Sequence, residues 1–150
     1  MGAFTGKCVI VTGAAGGIGT ALSERFATAG ASLVLADTND EGLAKLAAKL
    51  EGDHTAPVIT SVGDLSTREA AEQMVRQAVS VFGRVDVLVN NAGGGVIRPT
   101  LTHTEETLQA TIDRNLWSAL RSTLAALPVM LDAGYGRVVF IGADSVRNGL

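Results

Sequence analysis

Short apolar runs alternate with amphipathic helical patterns along this 150-residue sequence. The runs are rich in Val, Ile and Leu and lack strict polar alternation, which is typical of strands buried on both faces. The candidate strands are Lys7–Thr12, Ser32–Asp37, Pro57–Ser61, Val85–Asn90 and Arg137–Ile141. Strands that alternate with helices predict an α/β fold, a doubly wound parallel sheet of five strands within a three-layer α/β/α arrangement.

The segments between the strands carry helical spacing. The first helix is predicted over Gly17–Ala29, with a core-facing side formed by Ile18, Ala21, Leu22, Phe26 and Ala29. Thr38 with Glu41, and Ser66 with Glu69, predict capping boxes at the starts of the second and third helices. A longer helical region is predicted from Thr104 to about Ala133, kinked or broken at Pro128.

Length and composition predict one domain over residues 1–150 and exclude several classes of protein. The net charge of -3 argues against nucleic acid as the main partner. No run of about 18 apolar residues indicates a membrane span, and no secretory signal is visible. The single cysteine, Cys8, excludes a disulfide within the chain, which favours a cytoplasmic location.

A glycine-rich loop follows the first predicted strand and opens the first helix. It contains Gly13, Gly16, Gly17, Ile18 and Gly19. Backbone N–H groups at a helix N-terminus attract phosphates, and glycines let a diphosphate approach the backbone. With a strand before it and a helix after it, the loop predicts dinucleotide binding of the Rossmann type.

Asp37 ends the second predicted strand, 18 residues after Gly19. A carboxylate at this place can bind the hydroxyls of an adenosine ribose and repels a 2′-phosphate. No Lys or Arg within the glycine loop or Thr38–Gly42 offsets that charge, so the sequence favours NAD over NADP. The alternative is that Asp37 only caps the next helix.

Two further strand ends carry candidate residues. Asp64 and Leu65 follow the third strand and are interpreted as adenine contacts, with a plain turn before Ser66 as the alternative. Asn91, Ala92 and Gly93 close the fourth strand. Their small size allows a cofactor to approach closely, and Asn amides can tie neighbouring loops together.

Together these residues resemble the short-chain dehydrogenase/reductase family, from Lys7 to the end of the chain. The family's Thr-Gly-x-x-x-Gly-x-Gly loop matches Thr12–Gly19, and its Asn-Asn-Ala-Gly motif matches Asn90–Gly93. The resemblance implies an NAD-dependent oxidoreductase that interconverts a secondary alcohol or cyclic diol and a ketone by hydride transfer. It also implies a small-molecule alcohol or ketone substrate and a homodimer or homotetramer.

The family's active-site asparagine, which helps to hold a proton-relay water, falls on Asn115; a polar residue at a helix bend is the alternative. The family's catalytic serine falls on Ala143 instead. Ser145 is the candidate substitute, with a loop or capping serine as the alternative, and Asp144 and Arg147 are candidates for lining a substrate pocket.

The family's Tyr-x-x-x-Lys motif is not found. Tyr135 is the only tyrosine, Val139 stands four residues after it, and no lysine follows Lys49. We therefore expect a domain that is incomplete at its C-terminus, and negligible turnover by these 150 residues alone, because the proton-transfer group is missing.

The same residues leave two alternative functions open. A catalytically inactive dinucleotide-binding module is one alternative, with Ala143 marking the loss of catalysis. A sugar-nucleotide epimerase or dehydratase is another, because Gly13, Gly16 and Gly19 also fit its glycine spacing, although Asn-Asn-Ala-Gly argues against it. A P-loop, a hydrolase Gly-x-Ser-x-Gly elbow and a metal-ligand spacing of His54 and His103 are absent from the sequence.

Overall fold

A computed structural model describes residues 2–53 and 57–143 and contains a parallel five-stranded sheet. The strands are β1 (Cys8–Thr12), β2 (Ser32–Asp37), β3 (Val58–Val62), β4 (Val87–Asn90) and β5 (Arg137–Phe140). Their order in the sheet is β3-β2-β1-β4-β5, and every neighbouring pair is parallel. The predicted doubly wound α/β fold is confirmed, with strand ends within two residues of those predicted.

The helices cover both faces of the sheet and produce three layers. They are α1 (Gly17–Thr28), α2 (Asp40–Asp53), α3 (Arg68–Phe82), α4 (Glu105–Ile112) and α5 (Ser118–Asp132). A short 3-10 helix, Thr100–Thr102, precedes α4, and a π-helical segment, Asp113–Trp117, joins α4 to α5.

Alternate residues of β1 to β4 enter two separate hydrophobic clusters. Ile10 of β1 packs in a cluster with residues of α3 and α5, such as Met74 and Ala126. Its neighbour Val11 packs on the other face with residues of α1 and α2, such as Leu43. Because both faces are covered, the strands need no polar alternation, which explains their nearly continuous apolar sequences.

The strand order reverses beside β1, which lies between β2 and β4. Chain connections from β1 and from β4 therefore leave toward opposite sides, and a crevice opens at the carboxyl ends of these strands. The fold places the glycine loop and the segments after β2, β3 and β4 around this crevice.

The core-facing side of α1 differs from the prediction. Ile18 and Ala21 are exposed, whereas Gly19, Ser23 and Ala27 are buried. A Cβ atom at Gly19 would overlap the carbonyl oxygen of Gly13. The small residues of α1 therefore face the sheet, which allows the backbone of Gly19 to lie close to that of Gly13. Ile18 faces the crevice instead.

Two helix caps lie one residue later than predicted. Asn39, not Thr38, accepts a hydrogen bond from the Gly42 N–H at 3.0 Å, and α2 begins at Asp40. Thr67, not Ser66, accepts from the Ala70 N–H at 3.3 Å. The shift follows because Asp37 and Asp64 each form a side-chain turn with the backbone two residues on, before the helix begins.

The predicted break at Pro128 is wrong, because α5 continues from Ser118 to Asp132. Pro128 and Leu124, whose carbonyl lacks an N–H partner, are exposed, so water can satisfy that oxygen. The irregular segment lies upstream, in the π-helical turn. Thr104 caps α4 as predicted, accepting from the Thr107 N–H at 3.4 Å.

Candidate functional site

A cleft of about 750 Å³ lies at the carboxyl ends of the strands. The segments that follow β1, β2, β3 and β4 form its walls together with one face of the α4–α5 region. The predicted site residues that line it are Gly13, Gly16, Gly17, Ile18, Asp37, Asp64, Leu65, Asn91, Ala92 and Gly93. The fold therefore brings together residues that are as far apart in sequence as Gly13 and Gly93.

The glycine loop forms one wall of the cleft. Gly13 has a φ of +63°, and a Cβ on it would lie 2.9 Å from the Ala92 Cα. Gly16 and Gly17 are exposed where α1 begins. No side chain caps this end of α1, so the N–H groups of its first turn are available to an anion. Gly19 does not line the cleft but supports the loop from behind.

The loops after β1 and β4 are tied together by hydrogen bonds. The Thr12 hydroxyl oxygen accepts from the N–H groups of Asn91 and Ala92 at 3.0 and 2.9 Å. The Asn91 side-chain amide donates to the carbonyls of Thr12 and Gly13, both at 3.1 Å. The two loops therefore form one connected wall rather than two independent turns.

Asp37 is held at the end of β2 by two backbone groups. Its Oδ2 accepts from the Ala15 N–H and its Oδ1 from the Asn39 N–H, each at 3.0 Å. The first bond links Asp37 to the glycine loop, and the second forms a turn before α2, whose cap is Asn39 and not Asp37. The carboxylate keeps further acceptor sites that face the cleft.

Asp64 and Leu65 differ in burial although both line the cleft. Asp64 is exposed, and its Oδ1 accepts from the Ser66 N–H at 2.9 Å. The plain turn is therefore present, and the carboxylate still borders the cleft. Leu65 is 6% exposed and packs with the α3–α5 side of the core, so only a small part of it reaches the wall of the cleft.

Asn115 lies in the π-helical segment and bonds the chain that follows Gly93. Its Oδ1 accepts from the Gly94 N–H at 3.1 Å, and its Nδ2 donates to the Gly94 carbonyl at 2.7 Å. The Nδ2 also donates to the Thr111 carbonyl at 2.8 Å. Asn115 does not itself line the cleft, but it fixes the position of the glycine segment after β4.

The region of the predicted catalytic serine is described only in part. Ala143 follows β5 at the carboxyl end of the sheet, whereas Ser145, Asp144 and Arg147 lie outside the described residues. Tyr135 lies near the opposite end of the sheet, where the Lys7 ammonium is 4.1 Å from the centre of its ring. It is therefore remote from the cleft.

Sequence reasoning missed several lining residues on the α4–α5 side, among them Ala110, Arg114 and Ser118. These positions are four residues apart and share one helix face. Their spacing beside Asn115 was the available signal. The structural role of the Thr12 hydroxyl was also missed, although Thr12 belongs to the motif.

None of the helices within the described ranges combines the length and apolar character that a membrane crossing requires. Among residues 2–53 and 57–143, no group of three or more His, Cys, Asp or Glu side chains is arranged to hold a metal ion.

Two solved structures share this architecture. The crystal structure of NAD+-bound xylitol dehydrogenase superposes with a TM-score of 0.93 and 31% identity, covering 99% of this chain and 57% of that chain. That of L-sorbose reductase from Gluconobacter frateurii, complexed with NADPH and L-sorbose, gives a TM-score of 0.93 and 30% identity over 100% of this chain and 57% of that chain.

Curated relatives agree with this likeness. The chain is 50% identical to a 2,3-dihydroxy-2,3-dihydro-p-cumate dehydrogenase of Pseudomonas putida, over 97% of this chain and 56% of the relative. It is 40% identical to a 1,6-dihydroxycyclohexa-2,4-diene-1-carboxylate dehydrogenase of Acinetobacter baylyi, over 96% of this chain and 55% of the relative. It thus spans about half the length of these relatives. The family model for short chain dehydrogenases matches residues 7–150, so the chain belongs to the short-chain dehydrogenase/reductase family.

Proposed function

We propose that residues 1–150 form the dinucleotide-binding part of an NAD-dependent oxidoreductase. Asp37 carries this proposal, because its carboxylate is bonded to the glycine loop and borders the cleft. A ribose with two free hydroxyls can donate to this carboxylate, whereas a 2′-phosphate at the same place meets a like charge. The residues proposed to contact the cofactor are Gly13, Gly16, Gly17, Ile18, Asp37, Asp64, Leu65, Asn91, Ala92 and Gly93. Gly19, which was also predicted to bind it, instead packs behind the glycine loop.

The described residues fit a dinucleotide. A Cβ built on Gly17 meets no atom within 4 Å, so the backbone at the start of α1 is open to the cleft. The first-turn N–H groups of α1 can bind the diphosphate, and Leu65 offers an apolar surface to a base. When bound, a nicotinamide supplies the carrier for hydride transfer, and the chain's own residues position it and exclude water.

The substrate that we propose is a cyclic diol, oxidised to the corresponding ketone or catechol-like product. The names of the two curated relatives above both describe a ring that carries two hydroxyl groups. The loop after β4 lines the cleft with Gly93 and Gly94 and continues into the exposed apolar side chains of Val96 and Ile97, which suits a ring better than a highly charged substrate.

The cofactor preference is tested by Asp37→Asn in the full-length protein, using calorimetry with NAD and NADP. We expect the native protein to bind NAD more tightly than NADP. The substitution should weaken NAD binding about 10-fold to 100-fold, because a hydrogen bond to a charged group contributes about 1.5–3 kcal/mol. NADP binding should weaken less or improve, since the repelling charge is gone.

Asp40→Asn is the matched control, because Asp40 is exposed at the start of α2 and does not line the cleft. It should leave both affinities unchanged. A native protein that binds NADP but not NAD would refute the assignment of Asp37. Absence of affinity for any adenine dinucleotide would refute the proposed function as a whole.

A second candidate is a dinucleotide-binding module without catalysis, which Ala143 favours because it stands at the family's serine position. We infer instead that Ser145 supplies the hydroxyl and that Asn115 positions the proton relay. Ser145→Ala in the full-length protein should then lower kcat for a cyclic diol by about 10²–10⁴-fold, measured by NAD reduction. NAD binding without turnover in the native protein would instead support the module, and tightly held NAD without net reduction would support an epimerase.

A further inference from the structure

One helix face on the wall of the cleft carries a cation that the glycine loop lacks. Ala110, Arg114 and Ser118, spaced by four residues, line the cleft from the α4–α5 side. Among the lining residues that the structure describes, Arg114 is the one positively charged side chain, and Asp37, Asp64 and Asp113 are negatively charged. Arg114 therefore differs in charge from the other ionisable groups around it.

The Arg114 guanidinium is available to a ligand. It is exposed, and within residues 2–53 and 57–143 no carboxylate forms a salt bridge with it. The neighbouring Asp113 already accepts a hydrogen bond from the Gln109 side chain at 2.8 Å. The Arg114 carbonyl accepts from the Ser118 hydroxyl at 2.6 Å, a bond that leaves the guanidinium free to contact a ligand.

The position of Arg114 in the cleft indicates which part of a bound dinucleotide its side chain can contact. Leu65 belongs to the core cluster on the α3–α5 side of the sheet, the side on which the α4–α5 region packs. Arg114 and the Asp64–Leu65 segment thus line the cleft from the same side of the sheet. The glycine loop and α1 lie across from them. A flat group bound beside Leu65 would share this wall of the cleft with Arg114.

We propose that the Arg114 guanidinium packs over the adenine ring and sets the affinity for the adenosine half of the cofactor. A planar guanidinium stacks on an aromatic face and is attracted by its electron density. The inference rests on the proposed function, because it requires an adenine dinucleotide in the cleft. It adds a specificity-determining residue on the helix side, which the glycine loop and Asp37 do not supply.

The test uses the full-length protein and two half-cofactors, AMP and nicotinamide mononucleotide, with affinities measured by calorimetry or by competition against NAD. Both ligands carry one phosphate, and only AMP carries adenine. Arg114→Gln should weaken AMP about threefold to tenfold, the range for a cation over an aromatic ring at a partly exposed site, and leave nicotinamide mononucleotide unchanged. Arg114→Lys keeps the positive charge but not the planar guanidinium. Its affinity for AMP should therefore lie between that of the native protein and that of Arg114→Gln.

Arg25→Gln is the matched control, because this substitution removes the same charge from an exposed residue of α1 that does not line the cleft. It should alter neither affinity. Equal weakening of both half-cofactors by Arg114→Gln would overturn the proposal, because the effect would then not depend on adenine. Unchanged AMP binding, with the unliganded melting temperature also unchanged, would overturn it as well. A native protein that binds neither AMP nor NAD would refute the proposed function itself.

Discussion

At the scale of single residues, the Thr12 hydroxyl joins the two loops that form the wall of the cleft. Its oxygen accepts hydrogen bonds from the backbone N–H groups of Asn91 and Ala92, and its O–H donates to the Val89 carbonyl at 3.3 Å. One buried oxygen atom therefore satisfies two donors at the end of β4. Its removal would leave both N–H groups without a partner in a largely buried place.

We expect Thr12→Val to destabilise the protein by about 1–3 kcal/mol, because its shape is kept while two donors lose their acceptor. NAD affinity should fall with it, since the Asn91–Gly93 segment loses its position. Urea unfolding and calorimetry on the full-length protein measure the two effects. Thr12→Ser, which keeps the hydroxyl, should remain close to the native protein; equal losses in both variants would contradict this role.

The sequence predicted those site residues that belong to contiguous motifs at strand ends. Gly13, Asp37 and Asn91 fall in the cleft because parallel strands bring their carboxyl ends to one edge. Arg114 was missed because helix spacing alone does not tell which face meets a cleft and which meets the core. That choice depends on how α5 packs against α3, a contact between distant parts of the chain.

At the scale of elements, the positions of the strands could be predicted and the rotation of α1 could not. Apolar runs of Val, Ile and Leu determine where a buried strand lies. For α1, the apolar spacing favoured Ile18 and Ala21 as core residues, but both are exposed. The close contact of Gly19 with Gly13 decided the orientation, and small residues contribute little to an apolar pattern.

The helix α5 has two unlike sides. Toward α3 and the sheet it buries small or flexible side chains, Ser118, Ser122, Ala126 and Met130. On its other side Leu120, Leu124, Leu127 and Leu131 are exposed, with Leu131 at 74%. A continuous apolar surface of this kind favours association with another surface. The homodimer or homotetramer implied by the family stays a prediction that this side supports.

At the scale of the whole molecule, an ionic cluster of Lys7, Arg84 and Asp86 lies at the end of the sheet opposite the cleft. Asp86, 2% exposed, accepts from Lys7 at 3.0 Å and from Arg84 at 2.6 Å, and its Oδ2 accepts from the Cys8 N–H at 2.9 Å. Burial alone raises the pKa of Asp86, but the hydrogen bonds from Arg84, Cys8 and Lys7 outweigh burial and lower that pKa below its usual value. Burial, with a smaller contribution from Asp86, raises the pKa of the Cys8 thiol to about 12, so this thiol stays protonated.

This cluster predicts an acid-dependent loss of stability. Because the pKa of Asp86 is lower in the folded than in the unfolded state, its contribution is present above the unfolded pKa. The contribution is lost as the pH falls through the folded pKa. Asp86→Asn should therefore lower the free energy of unfolding by about 1–3 kcal/mol at pH 7, and the difference from the native protein should shrink below about pH 4.

Urea unfolding of the full-length protein between pH 7 and pH 3 measures this difference. Asp40→Asn, which removes an exposed carboxylate, should show little change at any pH. A native protein whose advantage over Asp86→Asn stays constant down to pH 3 would contradict the role of the cluster.

The ionic cluster and the cleft occupy opposite ends of the same strands. Changes in the loops after β2, β3 and β4 therefore alter the cleft, while the contacts of Asp86 with Lys7, Cys8 and Arg84 still hold the register of β1 and β4. Substitutions in the binding loops therefore need not destabilise the sheet, since the loops and the ionic cluster are separated by the length of each strand.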